Sequence, residues 1–181
     1  MGKLLVLING LPGSGKTTLA RSLAPVLGAS LLSKDDVKQA LAASIDEPIR
    51  ARALGGLAMD TIWAMAREIP EPVVIDSWWF KPRDLEFART GIAKTEADTV
   101  LEVWCDLPAE IARTRYARRR RAPWYQDDRH LAEDWDRWTT WAAPLALGTV
   151  LVVDTGCPVV VMELANRINH AAQPNPQNSP R

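Results

Sequence analysis

Gly10-Leu11-Pro12-Gly13-Ser14-Gly15-Lys16-Thr17 is the stretch on which the fold turns. It meets the spacing G-x-x-x-x-G-K-[ST] at every position. Glycines at these points let successive backbone N–H groups turn inward around a polyphosphate, with no Cβ in the way. Lys16 is spaced to reach the β- and γ-phosphates, and the Thr17 hydroxyl to ligate Mg²⁺. The helix that begins here adds unpaired N–H groups and the positive end of its dipole. The flanks agree with the motif. Lys3 to Asn9 is an apolar run of the kind a buried parallel strand carries. Leu19, Leu23, Val26 and Leu27 follow at helical spacing, and Gly28 sits where a C-cap belongs. Strand, glycine loop and helix in this order predict a nucleoside triphosphate site lined by Gly10, Pro12, Gly13, Ser14, Gly15, Lys16, Thr17 and Thr18.

Composition narrows the class. The chain has 181 residues, a length that suits one domain. Twenty-two Lys and Arg balance twenty-two Asp and Glu, so no global field recruits nucleic acid or a membrane surface. Two cysteines, Cys105 and Cys157, make neither a disulfide framework nor a zinc site. No segment approaches the roughly 20 apolar residues of a membrane span, and nothing resembles a signal peptide. A cytoplasmic enzyme is the expectation. Eight tryptophans are the oddity, because each indole N–H needs a partner when its ring is buried.

Outward from the loop, strands and helices alternate. Strands are expected at Ala29–Leu32, Val73–Asp76, Thr99–Asp106 and Thr149–Asp154, and Ser33 is a good N-cap for a helix carrying Asp35 and Asp36. A long helix is expected over about 47–68, with Gly55-Gly56 able to kink it or to permit close packing. Helices opened by Pro82 and Pro108 follow. The second runs into Arg113, Arg115, Arg118, Arg119, Arg120 and Arg121, with Arg115, Arg118 and Arg121 on one face. One helix is expected over roughly 129–141 and another over 159–170. Such alternation calls for an α/β domain: a five-stranded parallel sheet with helices on both faces. The expected organisation is one domain over 1–172, with a small helical lid at about 115–130 and a disordered Pro/Asn/Gln-rich tail over 173–181.

Ligands of such sheets collect beyond the carboxyl ends of the strands. Asp76, closing the third strand, is placed to hold Mg²⁺ with Thr17, although an N-cap would look the same. One acid of the pair Asp35/Asp36 could accept the proton of an attacking hydroxyl, or both could simply favour a helix N-terminus. Lys38, one turn on, could hold an anionic substrate group. The arginine run is either a solvated face or a lid that brings positive charge to a transferring phosphoryl group. Trp78-Trp79 follows the third strand, where at least one ring should face the acceptor pocket. The Leu131, Trp135 and Trp138 stripe reads as core.

These residues resemble a family of phosphate-loop kinases with an AAA-type ATP-binding domain, including polynucleotide 5′-hydroxyl kinase, chloramphenicol phosphotransferase and zeta-toxin-like kinases. The resemblance rests on residues 10–20, Ser33-Lys34-Asp35-Asp36-Val37-Lys38, Val74-Ile75-Asp76-Ser77, Arg115-x-x-Arg118 and Val153-Asp154-Thr155. It implies the phosphate-loop NTPase fold, ATP and Mg²⁺ as cofactors, Lys16, Asp35 and Arg118 as catalytic residues, and Asp35 as general base. It also implies Arg115 and Arg118 as lid arginines, and the loop after the last strand, with Thr155 and Cys157, near adenine. Asp35, Lys38, Asp76, Trp78 and Trp79 would contact the acceptor. Lys38 stands where the family's polynucleotide kinases have Arg, losing a bidentate fork for phosphate, and Trp78-Trp79 stands where polar residues are commoner. The expected reaction is therefore transfer of the γ-phosphate to a hydroxyl of a small, partly apolar acceptor. A polynucleotide 5′-hydroxyl kinase and a regulatory NTPase without an acceptor are the alternatives. No membrane partner is expected, and the oligomeric state is left open.

Overall fold

The computed structural model describes residues 2–44 and 51–173. Five strands run parallel: β1 (Leu4–Asn9), β2 (Ser30–Ser33), β3 (Val73–Asp76), β4 (Thr99–Asp106) and β5 (Thr149–Asp154). Their order across the sheet is β2-β3-β1-β4-β5. All five therefore end at one edge, which sets Gly10, Ser33, Asp76, Asp106 and Asp154 along a single rim.

β1 is central, and every one of its six residues is buried. Its apolar run splits between the two faces as strand alternation requires. Leu4, Val6 and Ile8 pack with α1 (Lys16–Val26) and α8 (Val161–Ala172), whereas Leu5 and Leu7 pack with α3 (Ala51–Glu68) and α4 (Lys81–Lys94). Gly28, at φ 60°, closes α1: its N–H donates to the Pro25 carbonyl and that of Ala29 to the Ala24 carbonyl. This crossed pair of bonds is the Schellman arrangement that a residue in the left-handed region makes. A third apolar cluster sits above the sheet rim. It joins Leu11, Phe80 and Leu107 to Tyr116 of α5 (Ala109–Ala117) and to Trp135 and Trp138 of α7 (Trp135–Trp141).

Several local expectations are corrected. α3 runs unbroken through Gly55-Gly56, and neither glycine is in close packing contact; the expected start near residue 47 lies outside the described residues, as does 174–181 of the expected tail. Ser33 does precede α2 (Lys34–Ala43), but its hydroxyl makes no cap. Parallel register sets it opposite Asp76, and it donates to the Asp76 carboxylate at 3.4 Å instead. The helix expected over 129–141 is two, α6 (Asp127–Glu133) and α7, parted at Asp134. α5 ends at Ala117, so Arg119, Arg120 and Arg121 lie beyond the helix and Arg121 does not continue the face of Arg115 and Arg118.

Candidate active site

The phosphate loop crosses the rim between β1 and α1, and contacts across its underside give it its shape. Gly13 has φ 90°, a conformation that L side chains rarely adopt, and a Cβ there would overlap the Ala112 carbonyl of α5. Lys16 is buried; its ammonium donates to the Gly10 and Leu11 carbonyls at 2.8 and 2.9 Å. Burial lowers its pKa from 10.5 to about 8, against the opposing pull of Asp76 and a weaker one of Asp35. A polyphosphate would restore the charge that burial disfavours, so the loop is poised for an anion.

Asp76 is 4% exposed. Desolvation raises its pKa, while the Lys16 charge and the Thr17 and Ser33 hydroxyls oppose the rise. Thr17 and Asp76 are thus brought together, although 59 positions separate them in the sequence. A carboxylate and a hydroxyl beside a phosphate-binding loop suit Mg²⁺, which takes few protein ligands and completes its shell with water and phosphate oxygens.

Asp35 lies in the first turn of α2 and is gripped from the far side of the cleft. Arg121 donates to its carboxylate at 2.8 Å and to both oxygens of Asp127 at 2.5 and 2.8 Å. Tyr116 donates its hydroxyl to Asp127 at 2.7 Å, and the Arg121 guanidinium lies 4.0 Å from the Tyr125 ring centre. Lys38 projects toward the same aromatic platform, its ammonium 4.7 Å from the Tyr125 ring and 4.8 Å from that of Trp124; burial lowers its pKa. Trp124 and Tyr125 are themselves stacked at 4.0 Å.

The tryptophan pair divides. Trp79 is 2% exposed and stacks on Trp63 of α3 in the core, 6.3 Å between centroids, so it is held away from the cleft. The half-buried Trp78 points the other way. Its ring lies 6.0 Å from the Lys16 ammonium and 6.2 Å from Trp138, and its indole N–H has no partner among the described residues. Adjacent residues of an extended segment face opposite sides, which is why one ring enters the core and the other the cleft.

Among the arginines, Arg115 donates to the Thr155 carbonyl at 3.4 Å, and the Thr155 hydroxyl donates to the Asp106 carbonyl at 3.0 Å. That ties the loop after β5 to α5. Cys157 on this loop is exposed. Arg118 caps α5 and lines a shallow surface groove with Arg113 and Leu131. The arginine whose charge bears on Lys16 is Arg119, and the one that reaches Asp35 is Arg121. Chain reversal after α5 makes that choice, and no residue type marks it in the sequence.

Sequence reasoning missed Asn9 and Glu102, both buried directly beneath the phosphate loop. A signal was present: Glu102 interrupts the apolar run of β4, and a fully buried carboxylate needs partners.

Comparison with known proteins agrees with this architecture. The AAA domain family (AAA_33) matches residues 5–145. A candidate kinase from Chloroflexus aurantiacus superposes with TM-score 0.71 at 21% identity, covering 96% of this chain and 100% of that one. Shikimate kinase from Bacteroides thetaiotaomicron superposes with TM-score 0.59 at 15% identity, covering 92% and 97%. An uncharacterized protein of Mycobacterium tuberculosis, Rv2004c, is 28% identical over 127 residues. The match covers 64% of this chain and 25% of the relative, so the chain spans about a quarter of the length of the curated relatives it matches. With its phosphate loop between β1 and α1 and its parallel sheet in the order β2-β3-β1-β4-β5, the chain belongs to the AAA domain family and has the fold of the phosphate-loop kinases.

Proposed function

We propose that this chain is an ATP- and Mg²⁺-dependent phosphotransferase that moves the γ-phosphate to a hydroxyl of a small, partly apolar acceptor. The observation that carries this reading is the convergence of a phosphate loop and two carboxylates of different character on one rim. Asp76 is buried beside Lys16 and Thr17, whereas Asp35 is half-open at the cleft and held by Arg121. A hydrolytic switch needs no second carboxylate placed to receive an acceptor's proton; a kinase does.

In this reading Lys16 exchanges its bonds with the Gly10 and Leu11 carbonyls for phosphate oxygens. Thr17 and Asp76 would hold Mg²⁺, which would supply positive charge to offset that of the β- and γ-phosphates. Asp35 accepts the proton as the acceptor oxygen attacks. Arg119, whose charge bears on Lys16, would bring positive charge to the transferring group while Arg121 holds Asp35, and the segment of about 115–130 would serve as lid. Trp78 offers an apolar face beside Lys16, which supports an acceptor with an apolar surface. Balanced net charge speaks against a polyanionic one.

The test is transfer of label from γ-labelled ATP with Mg²⁺, wild type beside Asp35→Asn. The acceptors are a panel of small hydroxylated molecules and a 5′-hydroxyl oligonucleotide. The expected result is labelling of a small acceptor, reduced about 10²- to 10⁴-fold in Asp35→Asn with ATP binding retained. Labelling of the oligonucleotide, falling steeply with salt, would make the chain a polynucleotide kinase. Slow ATP consumption equal in both proteins, with no acceptor labelled, would make it a regulatory NTPase.

A further inference from the structure

Beneath the phosphate loop lies a polar unit sealed from solvent: Asn9 is 0% and Glu102 1% exposed. The Asn9 side-chain oxygen accepts the Gly10 N–H at 2.8 Å and the Trp79 N–H at 3.1 Å. Two backbone donors on one atom identify it as the oxygen. Its amide nitrogen donates to Glu102 Oε1 at 2.8 Å and to the Trp79 carbonyl at 3.4 Å. Glu102 also accepts the Leu145 N–H on Oε1 and the Ala146 N–H on Oε2, each at 2.9 Å. Every donor and acceptor of the unit is therefore specified. Glu102 faces three donors, which a carboxylate satisfies and a glutamine does not. Asn9 must accept on one atom and donate from the other.

Apolar packing alone would place an aliphatic residue at 102, since its neighbours on that face are Leu7, Val100 and Leu145. What the carboxylate adds is a hold on the first turn of the phosphate loop. Gly10 offers its N–H, in the Asn9–Gly10 peptide, to Asn9 and its carbonyl, in the next peptide, to Lys16, so Asn9 anchors from below the residue whose carbonyl holds the Lys16 ammonium. The same Asn9 oxygen fixes the backbone of Trp79, and with it the exit of β3 that carries Asp76 and Trp78.

We infer that Glu102, acting through Asn9, is a positioning residue for nucleotide binding: it orients the Gly10 peptide and the Trp79 backbone from below, touching neither phosphate nor acceptor. This rests on the nucleotide reading above.

The experiment is a reciprocal exchange, read by titration with Mg²⁺–ATP and by thermal melting. Glu102→Gln keeps an oxygen on Asn9 and Leu145 only by turning its amide on the Ala146 N–H, so the hold on Asn9 loses both its charge and its fixed aim, and ATP is expected to bind about tenfold more weakly. Asn9→Asp sets two carboxylates against each other and is expected to lose at least as much. In the double variant Asn9→Asp/Glu102→Gln, the new carboxylate still accepts the Gly10 and Trp79 amides and takes a bond from the new glutamine. The Leu145 N–H and the Trp79 carbonyl, which loses the Asn9 amide, are left without partners. ATP affinity is expected to return to within about threefold of wild type while the melting temperature stays below it. A residue that only stabilised the fold would not separate affinity from melting in this way. The inference is overturned if Glu102→Gln binds ATP like wild type, or if the double variant binds as weakly as either single one. Should Glu102→Gln not fold, the double variant against Asn9→Asp makes the same comparison. Wild-type protein that fails to bind ATP overturns the nucleotide reading itself, whereas wild-type binding with no effect in the variants overturns only this inference.

Discussion

Protonation of Lys16 gives the reading of the phosphate loop its most direct quantitative test. Burial holds its pKa near 8 rather than 10.5 in the free protein. A bound triphosphate adds to the pull of Asp76 enough negative charge to offset the burial, and with that the pKa should return to at least its ordinary value. If it does, the complex holds a proton that the free protein has lost, and binding must take one up. At pH 9 the uptake is roughly 0.9 proton, and at pH 7 roughly 0.1. The direction is fixed by linkage: a group whose pKa is higher in the complex favours binding below its free-protein pKa, and that advantage is lost as pH rises through it. ATP affinity should be nearly level up to about pH 7.5 and about 20-fold weaker by pH 9.5. The assay is calorimetric titration with Mg²⁺–ATP in buffers of different ionisation enthalpy, which counts protons directly. Lys38 also has a lowered pKa, so Lys38→Met serves as the control that keeps the uptake, and Lys16→Met as the variant that abolishes it. Uptake below about 0.2 proton at pH 9 would mean that Lys16 stays charged in the free protein, and the argument from burial would be refuted.

Two further predictions follow from contacts at the cleft. Gly13→Ala forces a methyl group into the Ala112 carbonyl at a positive φ; it should cost at least about 2 kcal/mol of stability or displace the loop, measured by denaturant unfolding together with ATP titration, and a neutral outcome would mean that α5 yields freely. Arg121→Ala leaves Asp127 with Tyr116 alone and frees Asp35; unfolding free energy should fall by about 1–3 kcal/mol, and phosphoryl transfer should fall more than ATP affinity does, whereas Arg118→Ala, at an exposed position without such contacts, should change stability by less than about 0.5 kcal/mol.

Features that depend on near neighbours in the chain could be read from the sequence. Spacing within residues 10–17 encodes a backbone path, the run before it a buried strand, and the repeat after it a helix, so the fold class and the rim bearing Lys16, Thr17, Asp35 and Asp76 were legible. The sequence could not show where the chain goes once a helix stops. α5 ends at Ala117, and the turn beyond it delivers Arg121 to Asp35 and Arg119 toward Lys16; arginines are chemically alike, so composition cannot choose among them. Trp78 and Trp79 are equally apolar, and only the packing of Trp63 on α3 draws Trp79 inward and leaves Trp78 to the cleft. Asn9 and Glu102 stand 93 positions apart and acquire meaning only when β1 and β4 pair. Local spacing determined the path of the phosphate loop; long-range packing decided which of several identical side chains stands beside it, because contact between distant residues is a property of the folded backbone and not of any one segment.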